Sequence, residues 1–267
     1  MPVDVENAVR GRYAEGAQAR VPALCCPTDY DAKYLEAIPA EVIERDYGCG
    51  DPSRHLRVGE TVLDLGSGTG KICFIAAQVV GPTGTVIGVD MTPEMLEVAR
   101  RNAPIVADRL GFANVEFREG LIQNLKPIVE SGSVDVVVSN CVLNLVDTAS
   151  RQQLFAELHR VLREGGRAVI SDIVSDQEVP LRMQQDEELW SGCISGAFTE
   201  PGFKDAFKSA GFRSVCVLER QSEPWRTVDG IDFHSVTLQA FKDTTGARQS
   251  AAAGELDASC CQPGTSS

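Results

Sequence analysis

A chain of 267 residues, 43% hydrophobic and 24% charged, has the make-up of an ordinary globular protein with one sizeable core. Its 38 acidic against 25 basic residues leave a net charge of −13 with no basic stripe to offset it, which argues against nucleic acid as a partner. No apolar run approaches the roughly 20 residues that cross a bilayer. The opening MPVDVENAVRGRY also lacks an apolar signal core, so the sequence predicts a cytoplasmic protein with no membrane partner.

Residues 1–57 form an N-terminal segment with helical stretches near Asp4–Ala17 and Tyr30–Arg45, separated by a break containing Cys25 and Cys26. A different rhythm occupies residues 58–175. TVLDL, TVIGVD, VEFR, VDVVVS and RAVISDI are short β-branched runs with helical segments between several of them, which predicts a doubly wound, mostly parallel α/β sheet. Thr92-Pro93-Glu94 opens a helix with a cap residue and a proline at its first position, and Pro104 is expected to kink or end it. The helix from about Ser150 is expected to stop at Glu164-Gly165-Gly166. Residues 176–242 form a smaller C-terminal region: a helical segment with Trp190 and Cys193, then TEPGFKDAFKSAG, then SVCVLE and HSVTLQAF as closing strands with a possible antiparallel pair. Residues 243–267, rich in Ala, Gly, Thr and Ser, read as a flexible tail carrying Cys260 and Cys261.

The loop Asp64-Leu65-Gly66-Ser67-Gly68-Thr69-Gly70 lies between a strand and an apolar helix, where glycines allow a ligand to approach the backbone. A Walker A loop is ruled out, because Leu65 stands where its first glycine belongs and Ile72 follows Lys71 where Ser or Thr should hold magnesium. A nicotinamide loop would place its third glycine at Lys71. The remaining form, acidic-x-Gly-x-Gly-x-Gly, resembles that of class I methyltransferases with a Rossmann-like fold, which use S-adenosylmethionine. On that resemblance Asp90, about 20 residues further on at the end of the second strand, accepts from the ribose hydroxyls. Gly120, Leu121, Ile122 and Gln123 lie at the adenine, and Tyr47, Met91 and Asn140 complete the cofactor set.

Nine cysteines are too few for a disulfide scaffold in a chain of this length and too many to ignore. Cys73, within KICFIAA, and Cys216, within SVCVLE, read as packing residues. Cys141 follows the buried strand VDVVVSN, which puts it at the carboxyl edge of the sheet, where ligands bind in this fold. Neither His159 nor His234 suggests a base beside it, and no CxxC spacing supports structural zinc.

Tyr47-Gly48-Cys49-Gly50, SNCVLNLV and LWSGCISGAF, together with the Cys25-Cys26 region, resemble the arsenite S-adenosylmethionine methyltransferases in order and spacing over roughly residues 1–242. The resemblance implies that Cys49, Cys141 and Cys193 hold As(III), arsenite or methylarsenite, with Cys25 or Cys26 a fourth, redox-linked thiol. It also implies a thiol reductant, thioredoxin or glutathione. Gly192 departs from the acidic residue often found before the third cysteine, and Leu121-Ile122-Gln123 from the usual Tyr-Ile-Glu. Two other readings stay open here: methylation of a different small molecule, and a thiol-rich metalloid-binding protein without turnover.

Overall fold

Thr61–Leu65 (β1), Thr85–Asp90 (β2), Val115–Glu119 (β3) and Val134–Asn140 (β4) are the expected β-branched runs, and they pair in parallel in the order β3-β2-β1-β4. The computed structural model describes residues 4–19, 21, 28–45 and 47–243. β5 (Leu162–Ser175) extends the sheet in parallel with β4 and pairs antiparallel with β9 (Ile231–Phe241), which in turn pairs antiparallel with β7 (Arg213–Arg220). Two short strands, β6 (Phe198–Thr199) on β5 and β8 (Arg226–Val228) on β9, complete it. The region after residue 176 therefore contributes strands to the same sheet as the core.

Before the sheet come α1 (Val5–Gln18), α2 (Ala32–Leu35) and α3 (Ala40–Glu44). The second predicted helix is thus two short ones, because Pro39 cannot continue a helix but can precede the next. Between strands lie α4 (Lys71–Val80), α5 (Pro93–Leu110) and α6 (Arg151–Val161). After β5 come α7 (Leu181–Gln184), α8 (Glu187–Ser191) and α9 (Glu200–Ser209). α4 is apolar nearly all round and buried accordingly. One core packs this helix and α5 on one face of the sheet; the other packs α6 and α9 on the opposite face.

Two expectations are corrected. Pro104 does not end α5, which runs to Leu110 and closes on Gly111 in the left-handed conformation. Pro104 is exposed, so the carbonyl that loses its amide partner can be solvated. Glu164-Gly165-Gly166 does not terminate α6, which ends at Val161. The glycines instead absorb a register shift in β5, where Gly165 donates to the Lys242 carbonyl and the Lys242 amide to that of Gly166. Among the described residues no helix is long and apolar enough to cross a membrane.

Candidate active site

The turn leaving β1 is held from below: the amides of Gly66 and Ser67 donate to the Val89 carbonyl at 2.7 and 3.1 Å. Gly66 has φ +71°, and a Cβ there would meet the Val142 methyls at 2.5 Å, so only glycine fits. A cavity of about 1020 Å³ opens above the turn at the carboxyl edge of the sheet, large enough for a nucleoside-sized ligand. Every cofactor residue expected from sequence lines it except Gly70 and Leu121. Gly70 caps α4 instead, with its α-carbon packed on the Phe117 ring.

Asp90 accepts from the Gly68 amide and from the Thr92 amide, each at 2.8 Å, so it braces the turn as well as facing the cavity. Burial pushes its carboxyl upward, opposed by those amides. Ser67 Oγ is buried and has no hydrogen-bond partner among the described residues. A Cβ on Gly68 would meet nothing within 4 Å. A partnerless hydroxyl, a bare backbone stretch and a carboxylate around one cavity fit the amino-acid and ribose ends of S-adenosylmethionine.

The outer wall was not foreseen. Val5, Glu6, Val9 and Tyr13 of α1 close the cavity. The signal was the spacing of Val5, Val9 and Tyr13, one residue every helical turn. The helix is fixed at both ends of this face. Arg12 donates to the Glu188 carbonyl and to Ser191 Oγ at 2.9 and 2.8 Å. Tyr47 donates to the Gly16 carbonyl at 3.0 Å, with its ring against the bare α-carbon of Gly16.

Beyond the end of β4 the structure brings Cys49, Cys141 and Cys193 into one buried cluster. Cys49 and Cys141 are joined as a disulfide, Cα atoms 5.8 Å apart, where the sequence reading has separate thiolates. Cys193 donates its thiol to the Cys141 carbonyl at 3.2 Å. Cys141 and Cys193 both have left-handed backbone, φ 60° and 62°, a conformation that non-glycine residues hold only where surrounding structure imposes it.

That imposition is visible. Asp172, fully buried, accepts from the amides of Leu143, Asn144 and Ile173 and from the Asn144 side chain. Burial pushes it up to about 7 against the pull of those donors. One of its oxygens and the sulfurs of Cys141 and Cys193 lie within 4.8 Å of one another, but its oxygens are already occupied, so it holds the turn rather than serving as a further ligand. Arg151, pushed down to about 10 by burial, donates to the Gly196 carbonyl at 2.6 Å and also to that of Val146. Trp190 donates to the Leu145 carbonyl at 3.1 Å. The segments after Cys141 and Cys193 are thereby locked together.

Asn140 lines the cofactor cavity, and its side chain also holds the turn that bears Cys49. Its carbonyl accepts from the Cys49 and Gly50 amides at 2.8 and 3.1 Å, and its amide donates to the Gly50 carbonyl and to Tyr30. A Cβ on Gly48 would collide with this side chain, so the glycine lets the Cys49 turn sit on it. A small cavity of about 230 Å³ lies against Cys141, Cys193, Ile173 and Trp225, and shares Tyr13, Tyr47 and Cys141 with the cofactor cavity. Cys73 is buried in α4 beside Asp64 (3.1 Å) and Cys216 lies on β7, both away from the cluster. Cys25, Cys26, Cys260 and Cys261 lie outside the described residues.

The chain matches the family model described as "Methyltransferase domain" over residues 56–227. It is 35% identical over 243 residues to an arsenite methyltransferase of Aquipseudomonas alcaligenes, covering 87% of this chain and 70% of that protein. It is 33% identical over 252 residues to the arsenite methyltransferase of Rattus norvegicus, covering 90% and 68%. An arsenic(III) S-adenosylmethionine methyltransferase from Chlamydomonas reinhardtii superposes with a TM-score of 0.72 at 33% identity, over 85% of this chain and 76% of that one. With its nucleotide-sized cavity and cysteine cluster on one sheet edge, the chain belongs to the arsenite methyltransferase family of class I S-adenosylmethionine-dependent methyltransferases.

Proposed function

We propose that this protein transfers methyl groups from S-adenosylmethionine to As(III) held by the sulfurs of Cys49, Cys141 and Cys193, giving methylated arsenicals. The observation that carries the reading is the cysteine cluster, which shares Cys141 with the cofactor cavity. Thiolates suit a soft, thiophilic centre. S-adenosylmethionine supplies an electrophilic methyl on a sulfonium. Arsenic bound through sulfur keeps a lone pair; it forms the As–C bond while the S–C electrons return to the donor sulfur. No proton is removed, so no general base is needed, and the protein contributes position and electrostatics.

Methylation raises arsenic formally from III to V. Two thiols return the electrons by closing a disulfide, and the Cys49–Cys141 pair supports this, being within bonding reach. Cys25 or Cys26 would be the further redox thiol. Two equivalents of an external thiol, glutathione or the thioredoxin dithiol, then reopen the disulfide so that arsenic can bind again. Such chemistry suits a reducing compartment, the cytoplasm.

The test is direct: incubate the protein with arsenite, S-adenosylmethionine and a thiol reductant, then speciate the arsenic. Methylated arsenic is the expected result. Arsenic bound but unmethylated would make this a metalloid-binding protein, and neither binding nor methylation would mean a different acceptor.

A further inference from the structure

Two tyrosines line both the cofactor cavity and the small cavity against the cysteines: Tyr13 from α1, and Tyr47 from the turn before Cys49. Their rings meet edge-on, centroids 6.0 Å apart at 77°. The hydroxyls are in different situations. Tyr47 donates to the Gly16 carbonyl and accepts from the Val21 amide at 3.1 Å, so its oxygen serves the backbone. Tyr13's hydroxyl has no hydrogen-bond partner among the described residues. Its helix cannot drift away, because Arg12, the preceding residue, is tied to Glu188 and Ser191 just before Cys193. A tyrosine whose hydroxyl has no hydrogen-bond partner among the described residues is thus held on the wall that the two cavities share.

From this geometry we infer that Tyr13 is a catalytic residue whose hydroxyl oxygen contacts the sulfonium methyl and steers it toward the arsenic lone pair. The inference rests on the methyl-transfer reading above. A methyl on a positive sulfur is a C–H donor, and an oxygen beside it accepts a weak C–H···O bond. The hydroxyl neither gains nor loses its proton. The S–C pair returns to sulfur and the arsenic pair forms the new bond, so the contact acts only by fixing the methyl's direction. The demethylated product lacks that methyl, so the contact distinguishes donor from spent donor.

The test compares Tyr13→Phe with the unaltered protein, since the variant keeps the ring that packs on Tyr47. Calorimetry with S-adenosylmethionine and separately with S-adenosylhomocysteine needs no arsenic. The variant should bind the first about twofold to fivefold more weakly, the scale of one such contact, and the second unchanged. Single-turnover methylation of bound arsenite should slow roughly tenfold or more. In the unaltered protein, the resonance of a carbon-13-labelled donor methyl should move downfield on binding, which keeps the idea testable should the variant melt early. An unchanged preference between the two ligands, or an unshifted methyl resonance, overturns it. Failure of the unaltered protein to methylate arsenite would instead overturn the functional reading, while the two-ligand comparison still decides the contact.

Discussion

The thiol of Cys193 donates to the carbonyl oxygen of Cys141 at 3.2 Å, and both residues hold a left-handed backbone. Such a conformation costs of order 1–3 kcal/mol at each non-glycine position. The hydrogen bonds of Asp172, Arg151 and Trp190 offset that cost and aim two side chains at one point.

Cys141→Ser and Cys193→Ser should each abolish methylation of both arsenite and monomethyl As(III), because a hydroxyl cannot replace a thiolate toward a soft centre. Cys49→Ser should block methylation of arsenite yet permit that of monomethyl As(III), which has carbon at one position and needs only two sulfurs. Each variant is assayed with each substrate under reducing conditions. Normal arsenite methylation by Cys49→Ser, or either activity surviving in Cys141→Ser, would refute three-sulfur ligation.

Asn140→Ala removes four hydrogen bonds, three of them to the turn bearing Cys49 and one to Tyr30. The expected loss is about 2–3 kcal/mol of stability, with arsenite affinity falling more than cofactor affinity. Urea melts and paired titrations check this. A larger loss for the cofactor would mean that the contact of Asn140 with the cofactor outweighs its hold on the Cys49 turn.

Asp90→Ala should weaken S-adenosylmethionine binding by about 1–3 kcal/mol, the range for a hydrogen bond to a charged group. It also frees the amides of Gly68 and Thr92, so Asp90→Asn, which keeps one acceptor oxygen, should lose less. Calorimetry showing full affinity in a folded alanine variant would remove Asp90 from the site.

Glu41 joins α3 to α5. The Arg101 guanidinium, then the Asn102 amide, hold its carboxyl down at about 2. A depressed carboxyl stabilises the fold above its ordinary range near 4.5, and that contribution is lost as pH falls toward 2. Glu41→Gln should therefore melt lower than the unaltered protein at pH 6, with the gap shrinking below pH 4. The pair is partly exposed, so the gap is small and salt-sensitive. Thermal melts giving the same gap at both pH values would refute the linkage.

The sheet, the glycine turn and the three cysteine motifs were legible because their signals are local. A β-branched run is a strand wherever it lies, and a glycine pattern before an apolar helix reads the same in any context. What could not be read depends on partners distant in sequence. Asn140 is 91 residues from the Cys49 amide it holds. Glu164-Gly165-Gly166 resembles a helix stop until Lys242 is placed beside it. The wall formed by α1 was half visible: the Val5, Val9, Tyr13 stripe marks a buried face, but nothing in it says that the face covers a ligand cavity rather than a core.

Cys49 and Cys141 lie 92 residues apart along the chain, and Cys193 a further 52. On the ligation proposed here, an arsenic atom shared by the three is a staple through the middle of the polypeptide, and its grip exists only in the folded molecule. A ligand that binds only the native state raises stability with the logarithm of its concentration. Arsenite would then harden the protein against heat and proteolysis as exposure rises. The methylated product, holding fewer sulfurs, would loosen that brace with each turnover.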